Sequence, residues 1–71
     1  MKIQNIVKKD NINKIYKDKN GINWIVSNPI NNDIVLLQLI IDADNGSITT
    51  GYDITDYYTL NTIFKMDFKE L

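Results

Sequence analysis

The chain has 71 residues, of which eight are lysines and nine are acidic, and its formal net charge of −1 provides no overall attraction to nucleic acid or to a membrane surface. It contains no Cys, His or Arg, which excludes disulfides, thiolate and imidazole chemistry, and the common zinc sites. No stretch approaches the roughly 20 apolar residues of a membrane-spanning helix. We therefore expect one small domain, residues 1–71, with a cytoplasmic location and no membrane partner.

The first elements along the chain are a weak N-terminal segment and a hairpin. Residues 1–9 are weakly apolar and predict an edge strand or a loosely held arm. The Asn-Gly pair at 20–21 predicts a β-hairpin, because both residues tolerate positive φ. A two-residue loop would pair Tyr16 with Ile25, whereas a three-residue loop ending in the glycine pairs Tyr16 with Trp24. We favour the second register, because it places two aromatic rings on one face.

The most apolar stretch of the chain runs from residue 34 to residue 41. It is short, rich in β-branched residues and flanked by turn residues, so it predicts a buried central strand. Both of its faces are apolar. One face carries Val35, Leu37, Leu39 and Ile41, and the other carries Ile34, Leu36 and Ile40. An antiparallel strand in a small sheet normally has one wet face. The N-terminal segment, the C-terminal turn or a second copy must therefore cover the other face, and we favour a homodimer over a monomer.

The last third of the chain begins with a second Asn-Gly turn at 45–46 and a return strand over 47–52, in which Gly51 indicates a bulge or bend. Asp53 or Thr55 is suited to cap a short helix. Beyond this point the pattern is ambiguous. A helical face would be formed by Tyr57, Leu60, Phe64, Phe68 and Leu71, and a strand face by Phe64, Met66 and Phe68. We favour one or two helical turns at about 55–62 and a strand at about 63–69.

Together these elements predict a mainly β fold, either a small antiparallel barrel or a strongly bent sheet of five to six strands, with one short helical turn before the last strand. Residues 16–26, Tyr-Lys-Asp-Lys-Asn-Gly-Ile-Asn-Trp-Ile-Val, resemble the turn-and-tryptophan hairpin of small SH3-like barrel proteins encoded by phages and mobile elements of AT-rich bacteria. The expected helical turn and final strand at 57–68 are similar to that family as well. The resemblance implies an SH3-like fold and a genomic setting, and it carries no catalytic motif.

The acidic residues of the second half are the only candidates for metal binding or catalysis. The turn at 42–48 does not match a calcium-binding EF-hand loop in either possible register. The aspartates nearby lie in or beside turns, where this residue type commonly stabilises turns and caps helices; they are Asp42, Asp44, Asp53 and Asp56. We therefore expect no enzymatic activity, no metal and no cofactor.

The first functional hypothesis is a non-catalytic protein-binding module, such as an inhibitor or accessory protein of a phage or mobile element. Its candidate partner-binding residues are Tyr52, Asp53, Asp56, Tyr57 and Tyr58. Tyrosine suits interfaces because it combines a large ring with a polar hydroxyl group. The carboxylates could also imitate phosphates toward a basic, nucleic-acid-binding protein partner.

The alternative hypothesis is a small barrel that binds single-stranded nucleic acid by stacking bases on aromatic rings beside lysines. Its candidate residues are Lys14, Tyr16, Lys17, Lys19 and Trp24. We prefer the interpretation that Tyr16 and Trp24 belong to the core. Direct nucleic-acid binding is therefore the less favoured hypothesis.

Overall fold

A computed structural model describes residues 1–29, 33–42 and 44–71 of the chain. Within these residues there are five strands, three short α-helices and one 3₁₀ turn. The strands are β1 (Ile15–Asp18), β2 (Asn23–Ser27), β3 (Val35–Asp42), β4 (Ser47–Asp53) and β5 (Phe68–Glu70). The helices are α1 (Ile3–Ile6), α2 (Ile54–Tyr57) and α3 (Leu60–Lys65), and the 3₁₀ turn is Lys9–Asn11.

The five strands form one antiparallel sheet in the order β4-β3-β2-β1-β5. Strands β1 to β4 follow one another as a meander, and the chain then returns through α2 and α3 so that β5 pairs with β1. The sheet is not closed, since β4 and β5 remain its two edges. The predicted mainly β, antiparallel fold is confirmed, with two short helices rather than one helical turn before the last strand.

The first hairpin has the predicted three-residue loop, and Tyr16 lies opposite Trp24. Gly21 closes this loop with a φ of 83°, a conformation that residues with a side chain adopt only under strain. The second hairpin has the irregularity expected at Gly51. Two residues of β4, at 51–52, lie opposite one residue of β3, because Leu39 pairs with Thr50 while Leu37 pairs with Asp53.

The hydrophobic core lies on one side of the sheet. Its strand residues are Tyr16, Trp24, Val26, Leu36 and Phe68. Its remaining members come from the helices and the chain that joins α3 to β5, and they are Ile3, Ile6, Ile54, Ile63 and Met66. All three helices therefore bury apolar side chains on the same side of the sheet.

The opposite side of the sheet, here named the outer face, carries half-buried or exposed apolar residues. They are Ile15, Ile25, Val35, Leu37, Leu39 and Ile41. On β3, the side that contributes to the core is that of Leu36. The side with four apolar residues is thus the one that the helices leave uncovered.

The N-terminal segment differs from the expected edge strand or loose arm. Residues 3–6 form a single helical turn, and Ile3 and Ile6 are both buried in the core. A helix this short has little stability of its own, so burial of two isoleucines at helical spacing determines its conformation. The segment is also tied to β5, because the Met1 amino group donates to the Phe68 carbonyl over 2.7 Å and the Phe68 amide donates to the Met1 carbonyl over 2.8 Å.

The C-terminal strand starts later than expected, at Phe68 rather than near residue 63. The hydroxyl group of Thr59 accepts a hydrogen bond from the amide of Thr62 and caps α3, which continues to Lys65. Ile63 is buried on this helix, whereas Leu60 and Phe64 are exposed. The apolar spacing that includes Leu60 and Phe64 therefore marks the solvent side of α3.

Candidate interaction surface

Three of the five predicted partner-binding residues form a continuous group of rings. The centroids of Tyr52 and Tyr57 are 6.3 Å apart, and those of Tyr57 and Tyr58 are 5.4 Å apart. These separations lie within the range in which aromatic rings attract one another. Tyr52 is 63% exposed and Tyr57 is 50% exposed, while Tyr58 is half-buried. We name these three residues together with Asp56 the tyrosine surface.

The local backbone explains why these rings meet. Tyr52 stands in the bulge near the end of β4, and the chain then turns at once into α2. Ile54 anchors α2 in the core, and the Tyr58 amide donates to the Ile54 carbonyl over 3.2 Å as the helix ends. Tyr58 itself has an extended backbone, with φ −134° and ψ 153°, so α2 ends at Tyr57 and the chain leaves it in an extended conformation.

A buried tryptophan supports the tyrosine surface from below. The ring of Trp24 contacts Tyr57 edge to face at a centroid distance of 6.2 Å, and it lies 6.5 Å from the ring of Tyr58. Trp24 has no exposed surface. The exposed rings therefore rest on a fixed part of the core, which limits the side-chain entropy that they would lose on binding.

The position of Trp24 depends in turn on Asp18, a residue that the sequence did not single out. The carboxylate of Asp18 is buried and accepts three hydrogen bonds. Trp24 Nε1 donates to it over 3.0 Å, and the amides of Asn20 and Ile22 donate over 2.8 and 3.0 Å. An aspartate two residues before an Asn-Gly pair is a signal for such a side-chain turn.

The two aspartates of the predicted site have different roles. Asp53 caps α2, since its carboxylate accepts hydrogen bonds from the Thr55 amide over 3.0 Å and from the Thr55 hydroxyl group over 3.1 Å. Asp53 was predicted as one of two possible caps, and its carboxylate is thus occupied within its own chain. Asp56 is exposed on α2, so it provides the negative charge of the tyrosine surface.

The alternative, nucleic-acid-binding set is not brought together as a stacking platform. Tyr16 is 1% exposed and Trp24 is 0% exposed, so neither ring has a face available to a base. This burial agrees with the interpretation of both rings as core. The lysines of the set, Lys14, Lys17 and Lys19, are exposed, and the ammonium of Lys14 lies 3.6 Å from the carboxylate of Glu70.

Further exposed apolar side chains were not predicted as functional. Leu60 and Phe64 extend from α3, and Ile40 lies on β3 near Gly51. Their signal in the sequence was ambiguous, because each fits the pattern of a core position.

Among residues 1–29, 33–42 and 44–71, no three acidic residues lie close enough together to hold a metal ion. In the same residues, no helix is long and apolar enough to cross a membrane.

Comparisons with protein-family models, with curated proteins and with solved structures found no significant match to this chain. Functional inference therefore depends on the geometry of the tyrosine surface and on the chemistry of its residues.

Proposed function

We propose that the chain is a non-catalytic protein-binding module that contacts its partner through the tyrosine surface. The observation that carries the proposal is the pair Tyr52 and Tyr57, two rings that are half or more exposed and yet packed against each other, with Tyr57 in contact with the buried Trp24. A small domain gains stability by burying large rings, so leaving two of them half exposed indicates that the surface serves an interface. Preorganised aromatic groups are typical anchors of protein interfaces.

The partner that suits this surface has an apolar groove with a positively charged rim. The groove would accept the rings of Tyr52 and Tyr57, and the rim would lie near Asp56. A nucleic-acid-binding protein of a phage or its host meets this description, which agrees with a role as an inhibitor or accessory protein. Because Asp53 is engaged in capping α2, any imitation of phosphate depends on Asp56.

The test compares partner capture by the wild type and by a Tyr52→Ser/Tyr57→Ser variant, using tagged protein and quantitative mass spectrometry of host lysate. The matched control is Ile48→Ser, since Ile48 lies on the same strand as Tyr52 and is also 63% exposed. We expect the tyrosine variant to lose the captured protein, while the control retains it and both variants melt near the wild-type temperature. Equal capture by the wild type and the tyrosine variant would exclude this surface.

Nuclease treatment of the lysate distinguishes the proposed function from direct nucleic-acid binding. A protein interface survives removal of nucleic acid, and its strength changes modestly with salt, whereas a nucleic-acid complex weakens steeply as salt rises. We expect the captured protein to remain after nuclease treatment. Loss of capture on nuclease treatment would favour the alternative function instead.

A further inference from the structure

The two Asn-Gly pairs of the chain are candidate sites of a spontaneous reaction as well as turn signals. In such a pair the amide nitrogen of the glycine can attack the side-chain carbonyl carbon of the asparagine, because glycine has no side chain to hinder the approach. One pair lies at 20–21 and the other at 45–46, and both glycines have positive φ. The surroundings of the two pairs are very different.

The first pair is held by a buried aspartate. The Gly21 amide donates to the Asp18 carbonyl over 3.1 Å. The amides of Asn20 and Ile22, on either side of it, donate to the carboxylate of the same aspartate over 2.8 and 3.0 Å. This carboxylate belongs to a residue that is only 4% exposed. The nitrogen of Gly21 therefore faces an acceptor, and it can lose its proton and attack only after the loop has opened.

Opening of the first loop also disturbs the core. The Asp18 carboxylate accepts a hydrogen bond from the indole of Trp24, which has no exposed surface. The side-chain amide of Asn20 donates to the hydroxyl group of Tyr58 over 3.5 Å. A loop that is coupled to the core in this way opens only together with much of the domain, so its open form is rarely populated. The first pair should therefore be protected in the folded protein.

The second pair lies in the turn between β3 and β4. Asn45 and Gly46 are exposed, and so is each residue from 47 to 50. Open space surrounds Gly46, since a methyl group added to it would meet no atom within 4 Å. Between Leu36 and Ile54, none of the residues that the structure describes belongs to the buried core. This turn can therefore open locally while the core stays intact.

We infer that Asn45 is a site of spontaneous deamidation in the folded protein, and that Asn20 is not. The nitrogen of Gly46 forms a bond to Cγ of Asn45, the bond from Cγ to the side-chain nitrogen breaks, and ammonia leaves with the proton of the glycine amide. Water, the only other reactant, then opens the succinimide ring at either of its two carbonyl carbons. The products are aspartate and isoaspartate at position 45.

Deamidation changes both the charge and the backbone of the second hairpin. Either product adds a negative charge next to Asp44, within the stretch 20–64 that contains no lysine. Isoaspartate also adds one carbon to the backbone of the turn, which displaces the chain as it enters β4. Tyr52 stands near the other end of this strand, so the reaction alters the turn and leaves the residues of the tyrosine surface unchanged.

Incubation of the folded protein in mildly alkaline buffer, followed by chymotryptic peptide mapping with mass spectrometry, tests the proposal. Cleavage after Trp24 separates the two sites, which otherwise share one peptide between Lys19 and Lys65. We expect conversion at Asn45 to be at least about tenfold faster than at Asn20, because only the second turn opens locally. Equal rates at the two sites, or no conversion at Asn45, overturn the proposal.

The same comparison in concentrated urea is the control for sequence effects. Both asparagines precede a glycine, so their rates should become similar once the protection of the first loop is lost. A difference that persists unchanged in urea would come from the neighbouring residues rather than from the fold, and it would also overturn the proposal.

Two variants test the two turns separately. Asp18→Asn should accelerate conversion at Asn20 about tenfold, because the loop loses part of the set of acceptors that holds it closed. Gly46→Ala should slow conversion at Asn45 severalfold and leave Asn20 as it is, because the added methyl group hinders attack by the neighbouring nitrogen. An unchanged rate at Asn20 in the first variant would contradict protection by Asp18, and an unchanged rate at Asn45 in the second would contradict attack by the nitrogen of residue 46.

Discussion

The two Asn-Gly hairpins start from the same turn signal and have opposite environments. In the β1–β2 hairpin, the loop is held by the buried carboxylate of Asp18, and Trp24 is completely buried. In the β3–β4 hairpin, Gln38 is the last residue of β3 that pairs with β2. Beyond this point the two strands expose Ile40, Ile41 and Ile48. An Asn-Gly pair thus specifies that the chain reverses, whereas the surrounding strands and helices specify whether the hairpin becomes core or surface.

This difference assigns a role to each half of the molecule. The first hairpin provides the rigid base on which Tyr57 and Tyr58 rest. The second hairpin and the helix that follows it present Tyr52 and Asp56 to solvent. Substitutions in the first hairpin should therefore reduce stability, and substitutions at Tyr52 and Asp56 should change association with little effect on stability.

The largest effect is expected for Trp24→Ala. Removal of a fully buried indole should lower the free energy of unfolding by about 3–5 kcal/mol, which would unfold much of the population of a domain this small. Urea unfolding followed by far-ultraviolet circular dichroism measures the change. A Trp24→Ala protein that remains folded and loses only partner binding would place Trp24 in the interface instead.

Asp18→Ala should have the second largest effect. It leaves the Trp24 indole N–H and two backbone amides without their acceptor, at a cost of about 3 kcal/mol. Asp18→Asn is the matched control, since its single carbonyl oxygen can satisfy only part of this set, and it should give an intermediate loss. Equal free energies of unfolding for Asp18→Ala and Asp18→Asn in urea would show that hydrogen bonding by Asp18 is unimportant.

The two turn glycines permit a direct comparison of the hairpins. Gly21 and Gly46 both have positive φ, 83° and 67°, and no atom would clash with an added methyl group at either site. Each Gly→Ala substitution should raise the conformational free energy of its turn by about 1 kcal/mol. We expect Gly21→Ala to lower the melting temperature by about 4–8 °C, and Gly46→Ala to lower it less, because the end of the second hairpin can rearrange without loss of the core. Equal shifts in calorimetry would indicate that both turns are equally coupled to the fold.

The smallest effect is expected at Asp67, which links the N-terminal segment to the chain just before β5. A hydrogen bond from Lys2, at a distance of 2.9 Å, and its positive charge hold the pKa of Asp67 below its ordinary value. The pair therefore contributes to the free energy of unfolding at pH values above the ordinary pKa of an aspartate. This contribution is lost as pH falls through the lowered pKa of the folded state. Both side chains are exposed, so Asp67→Asn should lower the melting temperature only slightly at neutral pH and not at all in strong acid. A difference that grows in acid would contradict this assignment.

The sequence predicted the features that depend on neighbouring residues. The loop length and the Tyr16–Trp24 pair follow from a glycine that must adopt positive φ, and the bulge follows from Gly51. The grouping of Tyr52, Tyr57 and Tyr58 was also predictable, since these residues are close in sequence and flank a helix cap.

The features that were missed depend on contacts between distant segments. Alternation showed that both faces of β3 are apolar, and only the placement of α1, α2 and α3 determines that the face of Leu36 is buried. The α1 turn is too short to be predicted from helix propensity, and it forms because Ile3 and Ile6 are buried in the core. The role of Asp18 depends on Trp24, six residues away across the hairpin.

Native-state hydrogen exchange tests most directly the claim that one hairpin is core and the other is surface. We expect the amides of Ile22 and Trp24 to exchange only when the whole domain unfolds, and those of residues 40–41 to exchange through local opening at much lower free energy. Both sets lie close to a tight turn, so the comparison is internal to one sample. Equal protection of the two hairpins in the monomer would show that the second hairpin is as much a part of the core as the first.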